Sequence, residues 1–348
     1  MYRKVGIKII LFVIVALLAK RGNAQQTTVF NKLFTQYTTN DGLSQNTVRD
    51  IFQDKRGFIW LATTYGLNRF DGKEFKTYTI DRFSTQSLTN HWINAIEEDS
   101  KGAIWLATNG GGLNKLAHDM ETIEQVVDLN KKFIKDDRII SLHFSNDSTL
   151  WIGTFKGLAR YNVNTNSFIE TPFKLRTEME QITLVHDFLT DENQNTWIAT
   201  DKGLFRWISK LGFVEKMVVF DSDNVKTEAN YLYRTLKIDS KGDFWLGTRI
   251  NGVFTFSMPK SNEAVLLKRF KYQDELISKH ITSIATDVNG SVWIGTRNGL
   301  YGYDLNEDRL ATYLDDKTTD FRFKDEMVLK LFIDNHQNLW VASQTSGV

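Results

Sequence analysis

Catalysis or metal binding in this 348-residue chain would have to come from a small set of side chains. The six histidines (His91, His118, His143, His186, His280 and His336) are scattered singly. None stands at the His-x-x-x-His or His-Glu-x-x-His spacing that puts two imidazoles on one metal. Cysteine is absent, which removes disulfides and thiolate metal sites together. The sequence contains neither a Gly-x-Ser-x-Gly elbow nor a phosphate-cradling Gly-Lys-Ser/Thr loop. "NGGGL" at 109–113 is glycine-rich but lies at a turn, and "DVNG" from Asp287 lacks the further carboxylates of a calcium loop. Paired carboxylates could cleave a glycoside, but no pair is singled out. The sequence therefore assigns no catalytic residue, no metal and no cofactor.

Binding chemistry is better represented. Trp92 matters most because it breaks a pattern: the equivalent column holds Thr47, Arg138, Leu184, Leu232, His280 and Met327. Around it stand His91, Asn94, Tyr65, Asn109, Arg138, Phe155, His186, Tyr231, Tyr233, Arg234, Arg249 and Arg297. Flat aromatic faces beside amides and guanidinium groups suit sugar rings, which offer C–H faces and hydroxyl edges. Arg249 and Arg297 fall at matching turns and could grip a carboxylate or sulfate bidentately, which suggests an acidic oligosaccharide. The competing classes are an exported enzyme acting on polysaccharide (a lyase or glycosidase) and a scaffold for protein partners.

The elements that must position these residues are repeats. Trp60, Trp105, Trp151, Trp197, Trp245, Trp293 and Trp340 recur at intervals of 45 to 48 residues. Six residues before each stands Asp54, Asp99, Asp191, Asp239, Asp287 or Asp334, with Ser145 in the third copy. Gly57, Gly102, Gly242 and Gly290 stand three before, replaced by Ser148, Gln194 and Gln337 in the others. Asp then Gly is tight-turn chemistry, and "FIWLAT" alternates as a strand does. A Gly-Leu or Gly-Val turn follows each Trp, and apolar pairs such as Val48/Ile51 mark the strand ahead of it. Four strands per repeat of this length predict an all-β fold, a seven-bladed β-propeller of four-stranded antiparallel blades over 25–348. The recurring Trp is then packing, not catalysis. The seventh repeat stops at Val348, after its Gly-Val turn. The reading is a fragment of a longer polypeptide whose incomplete last blade is closed in part by a strand over 29–38. Loops entering each first strand and loops preceding each Gly-Leu share one face, where the candidate residues fall.

Charge adds little: 43 basic residues balance 42 acidic ones, which gives no electrostatic case for nucleic acid. The N-terminus has Arg3 and Lys4, an apolar stretch from Ile9 to Leu18, and Gly22-Asn23-Ala24. That reads as a signal peptide over 1–24, too short in its apolar part to span a bilayer.

"DVNGSVWIGTRNGLYGYD" (287–304) and "DGLSQNTVRDIFQDKRGFIWLATTYGLNRFDG" (41–72) resemble the two-component regulator propeller family, and the resemblance covers about 30–348. It implies the periplasmic sensor region of hybrid two-component histidine kinases of Bacteroidetes. In these, two propellers and a β-sandwich precede a membrane helix, a kinase, a receiver and often a DNA-binding domain. It further implies an oligosaccharide ligand, a second propeller and downstream domains as partners, and a homodimer. The parent would be anchored in the inner membrane and would control glycan-utilisation genes. A relative with a diguanylate cyclase output is the other form such a parent could take. Kinase residues are absent from this chain.

Overall fold

A computed structural model describes residues 35–175, 177, 182–220, 231–258, 264–312 and 327–348. The signal peptide read from the sequence lies outside them. The propeller unit is Gln36–Val348. Blade one shows the pattern: Val48–Gln53, Ile59–Thr63, Gly66–Phe70 and Phe75–Tyr78 pair in chain order as an antiparallel meander. The first strands of the seven repeats, Val48–Gln53, Ile93–Glu98, Ile139–Asn146, Val185–Thr190, Tyr233–Ile238, Ile281–Thr286 and Val328–Ile333, are successive neighbours, and the last meets the first. They form the inner wall.

The Trp column packs each blade onto the next. Trp60 sits with Ile93, Ile96 and Leu106 of blade two. Trp105 sits with Ile139, Leu142 and Ile152, Trp151 with Val185, Phe188 and Ile198, and Trp197 with Tyr233, Leu236 and Leu246. Trp245 meets Ile281, Ile284 and Ile294, and Trp293 meets Val328, Leu331 and Val341. Trp340 closes the series against Val48, Ile51 and Leu61. Burying one indole of this size removes ~150–250 Å² from water, or about 4–6 kcal/mol of transfer free energy.

The Asp six residues earlier serves two purposes. One carboxylate oxygen of Asp99 accepts the amides of Lys101 and Ala103 (2.9 and 3.0 Å), shaping the turn. The other accepts the Trp105 indole N–H at 3.0 Å. The same indole bond occurs at Asp54–Trp60, Asp191–Trp197, Asp239–Trp245 and Asp334–Trp340. Sequence reading saw the turn and missed the indole. Blade three is the control: Ser145 replaces Asp, and the Trp151 indole nitrogen is buried with no partner. There Asn146 caps a tighter hairpin by accepting Ser148 and Thr149 N–H. Arg160 lies between the rings of Trp151 and Trp207. Gln194 and Gln337, which stand where Gly is usual, keep the left-handed backbone at φ 63° each. The turn geometry thus overrides the residue preference.

The blade count needs correction. Six blades are four-stranded, not seven; the seventh repeat forms a two-stranded sheet, Val328–Ile333 with Leu339–Ser343. Of the expected closing strand over 29–38, residues 29–34 lie outside the described residues and 35–38 are not assigned as strand. Tyr37 nonetheless exchanges two backbone hydrogen bonds with Val348 (2.7 and 3.1 Å). Its ring packs between Phe70 of blade one and Trp340 of the seventh repeat (4.8 and 6.1 Å).

Candidate ligand-binding site at the channel mouth

Every inner strand slips register at the same place. Val48 pairs with Thr63 and Asp50 with Ala62, so Arg49 has no partner across the ladder. The same bulge leaves out Asn94, Ile140, His186, Arg234, Thr282 and Leu329. All seven bulged residues line a channel cavity of about 490 Å³. A bulge breaks the alternation of strand side chains and re-aims one of them.

A second ring surrounds the first. The residue after each second strand donates its amide N–H to the carbonyl of the residue just ahead of the first strand. These pairs are Thr64–Thr47, Asn109–Trp92, Phe155–Arg138, Asp201–Leu184, Arg249–Leu232, Arg297–His280 and Gln344–Met327. The backbone bond repeats in all seven copies while the side chains differ in each. The two loop sets expected to share a face do so.

Further inside, the next residue along the inner strand joins blades. Asp50 accepts the Ile96 N–H (2.8 Å) and Asp187 that of Leu236 (2.9 Å). Ser141 donates to the Val185 carbonyl and Ser283 accepts the Leu331 N–H, 3.0 Å each. Lys330 reaches Asp50 at 2.8 Å and completes the circle. Beside this belt, burial and the Asp50 charge push the Glu97 carboxyl up to about 8. His143 is driven down to about 4 by burial and the Lys237 charge. Glu97 therefore holds its proton at neutral pH, and His143 is uncharged.

The mouth is basic. Arg49, Arg234, Arg249 and Arg297 gather there with His186 and His280. Burial, then the charges of Arg234, Arg249 and Arg297, lower His280 to about 4. Burial also lowers Arg234 and His186. His186 holds Asp201 at 2.7 Å through Nε2, and Arg234 at 3.1 Å through Nδ1. Since a guanidinium only donates, Nδ1 must accept and Nε2 must carry the proton. Burial alone would raise Asp201, but the His186 bond and the charges of His186, Arg234 and Arg249 hold it below the usual carboxylate range.

The sequence-derived candidates divide. Trp92 is 39 % exposed, with the Arg49 guanidinium 5.9 Å from its ring centre. Tyr65 and His91 stack at 4.5 Å. Asn94 lines the channel and ties its amide to the Ile139 carbonyl, and Asn109 bridges to Arg138. Arg138 lies over Phe155 at 4.2 Å but is committed to Asp136 through two bonds. His186, Arg234, Arg249 and Arg297 fall together at the mouth. Tyr233 does not belong there. It occupies the core column of Val48 and Ile93, is 2 % exposed, and packs in the blade four–five core. Tyr231 packs against Tyr233 and Phe254 at the same core. Arg49, Asp201, His280 and Thr282 were missed. Reading the column eleven residues ahead of each Trp, where every bulge falls, would have found Arg49 and Thr282.

Three stretches, 42–65, 87–110 and 275–298, match the two component regulator propeller family model. A curated relative, histidine kinase P4 of Formosa agariphila, is 44% identical over 77 residues, 22% of this chain and 5% of that protein. Among solved structures, the extracellular domain described as that of the hybrid two component system BT3049 of B. thetaiotaomicron superposes with TM-score 0.71 at 23% identity. The alignment covers 90% of this chain and 41% of that one. A catalytically inactive virginiamycin B lyase of Staphylococcus aureus, solved with quinupristin, shares the fold at TM-score 0.65 and 10% identity, over 90% of this chain and 95% of that one. The chain thus spans about two fifths of the solved extracellular domain it matches and a small fraction of the curated kinase.

Proposed function

From a chain that carries two-component regulator propeller repeats, we propose a ligand-sensing periplasmic domain of a hybrid histidine kinase. It takes an oligosaccharide at the channel mouth and signals across the inner membrane to control glycan-utilisation genes. The observation that carries the reading is the mouth itself. A backbone frame repeated seven times presents side chains that vary from blade to blade, with Trp92, Arg49, Arg234, Arg249 and Arg297 concentrated on part of the circle. A residue the fold required would recur in every blade; Arg fills the bulge position in two blades of seven and the turn position in two, and Trp92 stands alone in its column. The likeness to extracellular domains of two-component systems supports the assignment to a sensor. A second propeller and the downstream domains of the parent, and a homodimer, complete the proposed apparatus. Ligand affinity must differ between signalling states, since that difference is all the free energy available to the kinase.

A polysaccharide-cleaving enzyme is the competing reading, and His186 is its natural general base. Both ring nitrogens are engaged, by Asp201 and by Arg234, so neither is open to a substrate proton. Calorimetry of the purified propeller against a panel of oligosaccharides, with product analysis of the same mixtures, tests the proposal. Saturable binding without cleavage, weakened at least tenfold by Trp92→Ala, is the expected result. Turnover of any panel member would transfer the mouth to the enzyme reading.

A further inference from the structure

We infer that the mouth contains an oxyanion site, so that the ligand is an anionic saccharide carrying sulfate or carboxylate groups. The inference deepens the sensor reading and rests on it for the saccharide part. Three observations carry it. First, Arg49, Arg234, Arg249 and Arg297 come from three blades yet act on one another or on His280 across the opening. Like charges repel, and a fold gains nothing by collecting them. Arg249 and Arg297 are exposed and make no ion pair among the described residues. Two carboxylates act on this group, Asp201 on Arg234 and Asp50 on Arg49, and both are already engaged: Asp201 with His186, and Asp50 with Lys330 and the Ile96 N–H.

Second, among the described residues eight buried side-chain polar atoms lack any hydrogen-bond partner. Five of them, on Arg49, His91, Arg234, His280 and Thr282, belong to the mouth or the loops entering it. Native structures leave few such atoms unpaired, and a cluster of them marks a place where a partner is supplied from outside. The two guanidinium Nε atoms are donors only, so their missing partner is an acceptor. Third, the bulges at Arg49 and Arg234 turn these side chains into the channel. Burial withdraws both guanidinium groups partly from water, where a charge-assisted bond is stronger than at a surface. Trp92 beside Arg49 offers a flat face to the ring bearing the anionic group.

The test uses the purified propeller with three probes: inorganic sulfate, a sulfated tetrasaccharide with its chemically desulfated counterpart, and trigalacturonate. Low-millimolar sodium sulfate is expected to raise the melting temperature above that in sodium chloride of equal ionic strength, and the increment should shrink in Arg249→Gln and Arg297→Gln, which separates a site from the general stabilisation sulfate gives any fold. A sulfated or uronate saccharide should bind at least tenfold more tightly than its uncharged counterpart. Arg249→Gln and Arg297→Gln lie in exposed loops, so they should fold normally and weaken the charged ligand about tenfold each. Arg234→Gln should lose more but disturbs His186, so the exposed pair decides. Equal affinity for charged and desulfated forms overturns the inference, as does unchanged affinity in both exposed variants or no sulfate-specific stabilisation. The sensor reading stands or falls separately. Binding that fails to change kinase output in the full-length parent sinks the sensor while leaving the oxyanion site intact. A neutral saccharide that binds and signals does the reverse.

Discussion

Replacing Asp99 by Asn tests the Asp–Trp unit of the repeat. Asp99 is 2 % exposed and Trp105 wholly buried. Asn can keep one oxygen for the amides of Lys101 and Ala103, but its NH₂ then faces the Trp105 indole N–H. Two donors meet where a carboxylate accepted at 3.0 Å, and no water can intervene. Losing a bond to a charged acceptor costs about 1.5–3 kcal/mol, and leaving a buried donor unpaired adds ~1–3 kcal/mol. We expect Asp99→Asn to destabilise the propeller by about 3–5 kcal/mol in urea unfolding followed by circular dichroism. In a Trp105→Phe background the facing donor is gone and the same change should cost about 1 kcal/mol. The double-mutant cycle should therefore show a coupling of roughly 2–4 kcal/mol. Ser145→Ala, in the blade that lacks the bond, should shift stability by less than ~0.5 kcal/mol. Additivity of Asp99→Asn and Trp105→Phe within about 0.5 kcal/mol would refute the claim that the carboxylate is kept for the indole.

Gly247→Ala should destabilise by ~1–3 kcal/mol, because the added carbon would lie 2.6 Å from Ile281 Cγ2 and 2.7 Å from Thr235 Cγ2; the reverse-sized test, Ala199→Gly, should show no such crowding on chemical denaturation. Glu97 has its folded-state value raised from 4.5 to about 8, so the stability linked to its proton is fully present below about pH 4.5 and is lost as pH rises from there through 8. Relative to Glu97→Gln, the wild type should therefore lose stability across that window by up to ~1.4 kcal/mol per pH unit in melts at pH 5, 6.5 and 8, while His143 and His280, both lowered to about 4, give the opposite slope below about pH 6.5 in both proteins. Lys330→Met breaks the pair that joins the last inner strand to the first at Asp50, and should cost about 1–3 kcal/mol after discounting for the partly open lysine. Gln194→Gly relieves a left-handed residue and should be neutral to stabilising by about 1 kcal/mol, read as a urea midpoint.

The parts of this fold that repeat were legible because packing and turn chemistry impose the same residue at the same column. Trp, the Asp before it and the small residue opposite announce strands, turns and blade stacking without any long-range information. Tyr233 shows where the reading failed and why. An aromatic in a column of Val and Ile is still a core residue, and an eye drawn to residues that differ between blades takes it for function. Arg49 was passed over for the opposite reason. Period-two alternation places it opposite a partner, and only the bulge, which no single residue type encodes here, turns it into the channel. The blade count failed on a third ground: a Trp column counts repeats, not complete sheets, and the seventh Trp belongs to a pair of strands bonded to each other alone among the described residues.

The seven bulges also bear on how such a protein can change over generations. Each blade offers its side chain to the opening by one backbone device that tolerates Arg, Asn, Ile, His, Thr and Leu alike. A substitution at Arg49, Ile140, Thr282 or Leu329 therefore changes the chemistry the opening presents while leaving turns and the Asp–Trp bonds untouched, whereas Asn94, His186 and Arg234 also tie neighbouring blades together. Side chains that face the channel and side chains that hold the fold thus sit on largely separate positions, so drift at the former codons can change the opening's chemistry without first repairing the fold.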